Sequence, residues 1–205
     1  MAINLKVNAS VVDISSDTPK PEDVFLVDTN VWYWMTYSRA STAGAKVYQI
    51  RSYPTYTNSA LAANATIYQS GVSIAELSHI IEKSEREIFN KTNPVVSTKE
   101  YRHNFPVERA SVCLEINSAC MQVLALGESM DISIDSEVVK SALSHLKACS
   151  VDGYDLFLLE AMAARGVTQV ITDDGDFATV PGITVFTANR NIVQAAKTQG
   201  KLIVR

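Results

Sequence analysis

The sequence predicts an α/β fold: a three-layer α/β/α sandwich around a mainly parallel sheet. Three observations predict it. Short, continuous apolar runs (Val24 to Val27, Gln169 to Thr172, Ile183 to Phe186) suit strands buried on both faces. These runs alternate along the chain with segments of helical period. The first and second runs each end in acidic residues, Asp28 and then Asp173, Asp174 and Asp176. In open α/β sheets, ligands bind beyond the carboxyl ends of the strands.

The elements follow in order. Ile3, Leu5, Val7, Val11, Val12 and Ile14 alternate weakly and predict an edge strand. Ser15 to Asp23 has two prolines and reads as a linker, so residues 1–23 form an arm. Residues 24–205 form the main domain. Val24–Val27 is the first buried strand, and a short helix starts near Thr29 or Asn30. The Tyr-, Ala-, Ser- and Thr-rich stretch 36–71 reads as an insertion, broken at Pro54 and helical from Thr57 to Gln69. Ser73 to Phe89 is an amphipathic helix with Ile74, Leu77, Ile80, Ile81 and Ile88 on one stripe. A mixed-charge stretch to Glu108 leads into a long helix to Leu126. Asp131–Ile134 reads as a short strand and Ser136–Leu146 as a helix. Gly153 to Arg165 is apolar nearly all round and predicts a buried helix stopped by Gly166. After the last two acid-flanked or apolar runs come a helix over 191–198 and a final strand over 202–204.

Composition narrows the chemistry. The chain has 205 residues and a formal net charge of −4, so no overall positive field draws in nucleic acid. Three cysteines in no Cys-x-x-Cys pair argue against a disulfide framework or structural zinc. The three histidines are scattered. No apolar run reaches the length of a membrane span and the start lacks a signal-peptide pattern, so the expectation is a cytoplasmic protein without membrane contact.

What remains is carboxylates. Asp28 ends one strand, and Asp173, Asp174 and Asp176 follow another. Glu76 lies at the start of the amphipathic helix, and Asp155 opens the buried one. If the two strands are neighbours, these acids meet at one edge. Crowded like charges need a cation, and an all-oxygen set suits Mg²⁺ or Mn²⁺. Each acid also has a plainer reading. Ser73-x-x-Glu76 fits a capping box. Asp152 could cap the buried helix, with Asp155 at its third position. Asp173-Asp174-Gly175-Asp176 could be an ordinary turn. Asp28 has no cap to make unless the following residues are helical.

Val27-Asp28-Thr29-Asn30-Val31, Ser73-Ile74-Ala75-Glu76-Leu77, Asp155 with Leu-Phe-Leu-Leu-Glu-Ala-Met-Ala, and Thr172-Asp173-Asp174-Gly175-Asp176-Phe177 occur in this order. Together they resemble the PIN domain, a fold of metal-dependent nucleases that includes VapC-type toxin ribonucleases. The resemblance covers roughly Val24 to Phe186. It implies Asp28, Glu76, Asp155 and Asp174 as catalytic, metal-binding acids, and Asp176 as an accessory one. Thr29, Asn30 and Thr172 would support them. The family's last motif selects Asp174 over Asp173. The implied activity is Mg²⁺- or Mn²⁺-dependent cleavage of single-stranded RNA. An antitoxin partner and a homodimer are implied for the toxin type, although this chain is longer than the compact toxins. The alternative is a catalytically silent PIN-like domain that binds RNA or protein. A phosphatase of the haloacid dehalogenase type wants Asp-x-Asp, and here Asn30 stands two past Asp28.

The acid-free stretch 29–75 carries Arg39, Lys46 and Arg51 among Trp32, Trp34 and six tyrosines. Cations interleaved with aromatics suit single-stranded nucleic acid, so these three are candidate substrate contacts. Burial of the aromatics in the core is the rival reading.

Overall fold

The computed structural model describes residues 4–205. Residues 1–3 of the arm, Ile3 with them, lie outside that range. Six parallel strands form one sheet in the order β1-β6-β5-β2-β3-β4. They are β1 (Ser10–Asp13), β2 (Val24–Val27), β3 (Thr66–Gln69), β4 (Glu128–Ser129), β5 (Gln169–Ile171) and β6 (Thr184–Thr187). Residues along each strand alternate between two cores. Phe25 and Val27 face one, and Leu26 faces the other. Val12, Ile171 and Phe186 join the first, while Val11, Val170 and Val185 join the second. A strand buried on both sides needs no polar face, which is why these runs are continuously apolar.

The helices divide the same way. On the first face lie α1 (Thr29–Thr36), α2 (Ala40–Ala43), α3 (Val47–Ala62), α4 (Gly71–Phe89), α5 (Thr98–Asn104) and α6 (Pro106–Leu126). The second face is covered by α7 (Ser136–His145), α8 (Asp155–Arg165) and α9 (Arg190–Thr198). The three-layer α/β/α sandwich expected from the sequence is therefore present.

The order of the strands positions the site. From β2 the chain moves outward to β3 and β4 through the first helical layer. It then returns across β2 to β5 and β6 through the second. Reversing direction with right-handed crossovers moves the helices to the opposite face. The reversal falls between β2 and β5, which pair Val27 with Ile171. A crevice opens at such a switch point, at the carboxyl ends of the strands.

Several sequence expectations are corrected. The segment 36–71 is no insertion, because it supplies α2, α3 and β3, and β3 lies directly beside β2. The helix expected over 57–69 stops at Ala62. Asn64 turns the chain with φ of 62°, and Thr66–Gln69 is a strand. Pro54 sits inside α3 rather than breaking it. The burial of Tyr53 and Tyr56 on either side holds the helix together against the lost backbone hydrogen bond. The edge strand expected in the arm does form, as β1 beside β6. The strand expected over 131–134 forms instead at Glu128–Ser129. The expected terminal strand is a single bridge between Val11 and Leu202. α5 arises within the stretch left as mixed charge, where Ser97 and Glu100 form a reciprocal capping box.

Among the described residues, no helix is long and apolar enough to cross a membrane. Cys113, Cys120 and Cys149 are all free thiols.

Candidate metal centre

β2 carries its four apolar residues into Asp28, which is buried. Because α1 begins at Thr29, Asp28 occupies the N-cap position that sequence reasoning had made conditional. Its Oδ1 accepts the Thr29 backbone N–H at 2.6 Å, and its Oδ2 accepts the Thr172 hydroxyl at 2.5 Å. The Thr172 Oγ1 in turn accepts the Asp174 backbone N–H at 2.9 Å. One hydroxyl at the end of β5 thus ties the acid after β2 to the loop carrying Asp174. The Asp174 Oδ1 accepts the Asp176 backbone N–H at 2.8 Å.

Glu76 comes from α4. The capping-box reading of this residue fails, because the helix starts two residues earlier than expected. Ser70 is the cap and accepts the Val72 N–H at 3.2 Å. Glu76 therefore sits in the second turn, and Ser73 Oγ has no partner. Asp155 is the first residue of α8. Asp152 does not cap that helix, because the cap position is Tyr154 and no side chain bonds there.

The electrostatics bring these acids together. Burial, opposed by the Thr172 hydroxyl and reinforced by Glu76 and Asp174, pushes Asp28 up to about 7. Burial, followed by Asp28, Asp174, Glu76 and Asp152, pushes Asp155 up to about 9. Glu76 is raised by burial against the pull of Thr29, and then by Asp174 and Asp152. Asp174 acts on Asp28, Glu76 and Asp155 alike, and Asp155 also feels Asp28 and Glu76. The leading influences on Asp28 and Asp155 include no Lys or Arg. His79, one turn along α4, opposes the rise at Glu76 alone of these three.

Whether a cation suits this site is tested by the atoms left over. Glu76 Oε2, Thr29 Oγ1 and Asn30 Oδ1 are buried without a hydrogen-bond partner. Thr29 lies close enough to favour the charged form of Glu76, but its hydroxyl is beyond hydrogen-bonding reach. Orphaned oxygens on Glu76 and on Thr29, next to Asp28, cost free energy unless something positive meets them. An all-oxygen donor set fits Mg²⁺ or Mn²⁺. Among the described residues, no three Asp, Glu, His or Cys side chains close on a single point as a finished cage would. Like charges repel, and a cation is what would draw them in.

The remaining candidates separate. Asp173 turns away from the cup. It accepts hydrogen bonds from Tyr53 Oη at 2.6 Å, Gln49 Nε2 at 2.8 Å and Tyr48 Oη at 3.0 Å. Asp176 is marginal. Burial, Asp174 and Asp152 raise it, yet it lines a second cleft with Lys6, Asn8 and Lys147. Asp152 belongs to the acidic edge and was read from sequence only as a cap. Its spacing of three residues before Asp155 was the available signal. The aromatic stacking surface expected over 29–75 is not there. Trp32, Tyr33, Tyr37, Tyr53 and Tyr56 are buried in the core. Arg39 is held by Glu85 at 2.5 Å, and Arg51 lies beside Thr18 and Pro19. Lys46 is the exposed N-cap of α3. Among the described residues, none of the three forms an ion pair with Asp28, Glu76, Asp155 or Asp174, although the Lys46 backbone N–H donates to Gln49, which in turn donates to Asp173.

No protein-family model, curated protein or solved structure matches the chain.

Proposed function

We propose that the chain is a PIN-like, Mg²⁺- or Mn²⁺-dependent endoribonuclease acting on single-stranded RNA. One observation carries this reading. Asp28, Glu76, Asp155 and Asp174 lie on four separate elements around the switch point of a parallel sheet, and no Lys or Arg is among the leading influences on Asp28, Glu76 and Asp155. The four-motif resemblance supplies the substrate class.

Asp28, Glu76, Asp155 and Asp174 would hold the cation. When bound, it would stabilise the charge that builds on a phosphodiester and acidify an attacking water. The chain's own contribution is to hold the carboxylates. Asp28 is fixed through both oxygens by Thr29 N–H and the Thr172 hydroxyl. Asp174 is fixed through the Asp176 N–H. Glu76 brings an oxygen with no competing partner. Asp28 and Asp155 hold protons above the usual carboxylate range, so cation binding expels them and tightens as pH rises. Cytoplasmic location, a homodimer and an antitoxin partner belong to the same proposal.

The test is cleavage of an end-labelled, mixed-sequence RNA by purified protein, with Mn²⁺ titrated calorimetrically in parallel. The expected result is cleavage in Mg²⁺ or Mn²⁺ that stops on chelation and is abolished by Asp28→Asn in a folded protein. Undiminished cleavage by the pure variant would refute the site. Metal and RNA binding without cleavage would favour the silent-domain alternative.

A further inference from the structure

A cleft of about 430 Å³ opens between α4 and α6, beyond the acid cup, with His79, Glu82, Arg102, Arg109 and Cys113 on its walls. Glu82 is only 5% exposed. It accepts Arg102 Nε at 2.7 Å, Arg109 Nη1 at 2.8 Å, and Arg102 Nη2. Two guanidiniums share one carboxylate, so one positive charge is left over in a chain of net charge −4. Glu82 uses neither Arg102 Nη1 nor Arg109 Nη2. The two arginine side chains are 40% and 37% exposed, so solvent reaches them although their anchor is buried. Glu85, the next buried acid along α4, is taken by Arg39 and Tyr37.

The cleft neighbours the cup through His79, which lies on its wall. Glu76, His79 and Glu82 lie along α4, and six residues at 1.5 Å each place Glu82 about 9 Å along the axis from Glu76. His79 Nδ1 lies 3.3 Å from the Tyr154 hydroxyl, and Tyr154 directly precedes Asp155. A planar guanidinium fork held rigid by a carboxylate matches phosphate geometry, and the entropy of ordering it is already lost.

We propose that Arg102 and Arg109, clamped by Glu82, bind a backbone phosphate of the single-stranded RNA that runs from the acid cup along α4. The choice of ligand rests on the nuclease reading. An acidic polypeptide is the rival occupant. The phosphate is favoured because the cleft adjoins a site that itself suits a phosphodiester.

The experiment measures binding, not cleavage. The anisotropy of a labelled, mixed-sequence single-stranded RNA is titrated with wild-type protein and with Arg109→Gln, in chelator, over a range of NaCl. Arg102 still pairs with Glu82 in the variant, and a melting curve checks that it folds. The expected result is a Kd weakened about 5- to 10-fold, and a log K against log salt slope shallower by about 0.7, the value for one phosphate contact on a single strand. Arg109→Lys should keep the slope, because it keeps the charge. A folded Arg109→Gln protein with unchanged Kd and slope overturns the proposal, as does wild-type protein that fails to bind RNA. So does polyglutamate binding that is lost in Arg109→Gln while RNA binding is not. The Mn²⁺ titration of wild-type protein reads the acid cup separately. Failure there with the Arg109 effect intact overturns the nuclease reading and leaves the phosphate site standing.

Discussion

Two groups of buried carboxylates in this molecule meet opposite fates. Asp17 and Asp23 are held by Arg205. Its Nε donates to Asp17 Oδ1 at 2.9 Å, and its Nη2 donates to Asp17 Oδ2 and Asp23 Oδ2, each at 2.8 Å. The guanidinium also lies 4.5 Å from the Phe186 ring centroid. Burial raises Asp23, but Arg205, the Lys20 N–H and Gln169 together outweigh it and the group ends below its ordinary value. Asp28 is buried and Asp155 half-buried, and no guanidinium is among the leading influences on either, so both end far above theirs. Glu82, clamped by two arginines, follows Asp23. Where a carboxylate serves the fold, the chain supplies its counter-charge. At the switch point no Lys or Arg is among the leading influences on Asp28 and Asp155, which is the setting the proposed cation would complete. The contrast is a stronger argument for a cation than any single acid in a motif.

That comparison can be broken most forcefully at its structural half. Arg205→Ala leaves Asp17 and Asp23, each 3% exposed at the side chain, without their cation. The expected loss is about 3–5 kcal/mol of stability, the usual cost of breaking a buried pair from one side. Chemical denaturation of the variant measures it. A loss below about 1 kcal/mol would mean that Arg205 is not what keeps these acids ionised.

The acid cup should respond with the opposite sign. A carboxyl whose folded value is raised keeps its proton where the unfolded chain has lost it. Its contribution to stability is present at low pH and lost as pH rises between about 4 and the folded values near 7 and 9. In chelator, the melting temperature should therefore fall as pH rises through that window. Asp155→Asn replaces a carboxyl that must take up a proton on folding with a neutral amide, and should stabilise metal-free protein at pH 8 by on the order of 1–3 kcal/mol. Excess Mn²⁺ should reverse the order, raising the wild-type melting temperature more than the variant's. Destabilisation by Asp155→Asn in chelator would make that carboxylate a structural group like Asp23.

Thr172→Val tests the link between the two strands. The hydroxyl donates to Asp28 and accepts from the Asp174 N–H, so it orients two of the four acids without needing to touch the cation. Loss of such a partner costs roughly 10–100-fold in metal affinity. Calorimetry with Mn²⁺ reads it, and an unchanged affinity would show that Asp28 needs no such brace.

How much of this was legible in the sequence depends on the range of the signal. The apolar runs at β2, β5 and β6 and the period of α4 and α8 are local patterns, and they gave the layers. The four acids could be named because each follows a strand or lies near the start of a helix. β3 was not legible. Thr66–Gln69 alternates over only four residues, directly after an α3 helix that Pro54 should have ended. The core tyrosines of α3 decide that segment, and their burial is a tertiary fact. The same applies to the aromatics over 29–75, whose composition suits RNA and the core equally. Glu82 with Arg102 and Arg109 was unreadable as a unit, because the three lie on α4, α5 and α6. Along the chain they look like an ordinary solvated face.

The smallest expected effect separates two adjacent acids. Asp173 and Asp174 are neighbours, and only the motif distinguished them. In the structure, Asp173 receives Tyr48, Gln49 and Tyr53, while Asp174 faces Asp28, Glu76 and Asp155. Asp173→Asn keeps one acceptor oxygen and places an amide where donors already crowd. It should cost about 1–2 kcal/mol of stability, the scale of a charged hydrogen bond lost beside intact neighbours. Burial and the Asp173 charge hold Tyr48 up to about 12, so the variant should also lower the pH at which that phenol ionises, visible in an ultraviolet titration. Mn²⁺ affinity should stay within about twofold of wild type, whereas Asp174→Asn should lower it at least tenfold. If the two variants exchange these behaviours, the loop after β5 presents its other acid to the cation, and the hydrogen bonds from α3 to Asp173 give way when the metal binds.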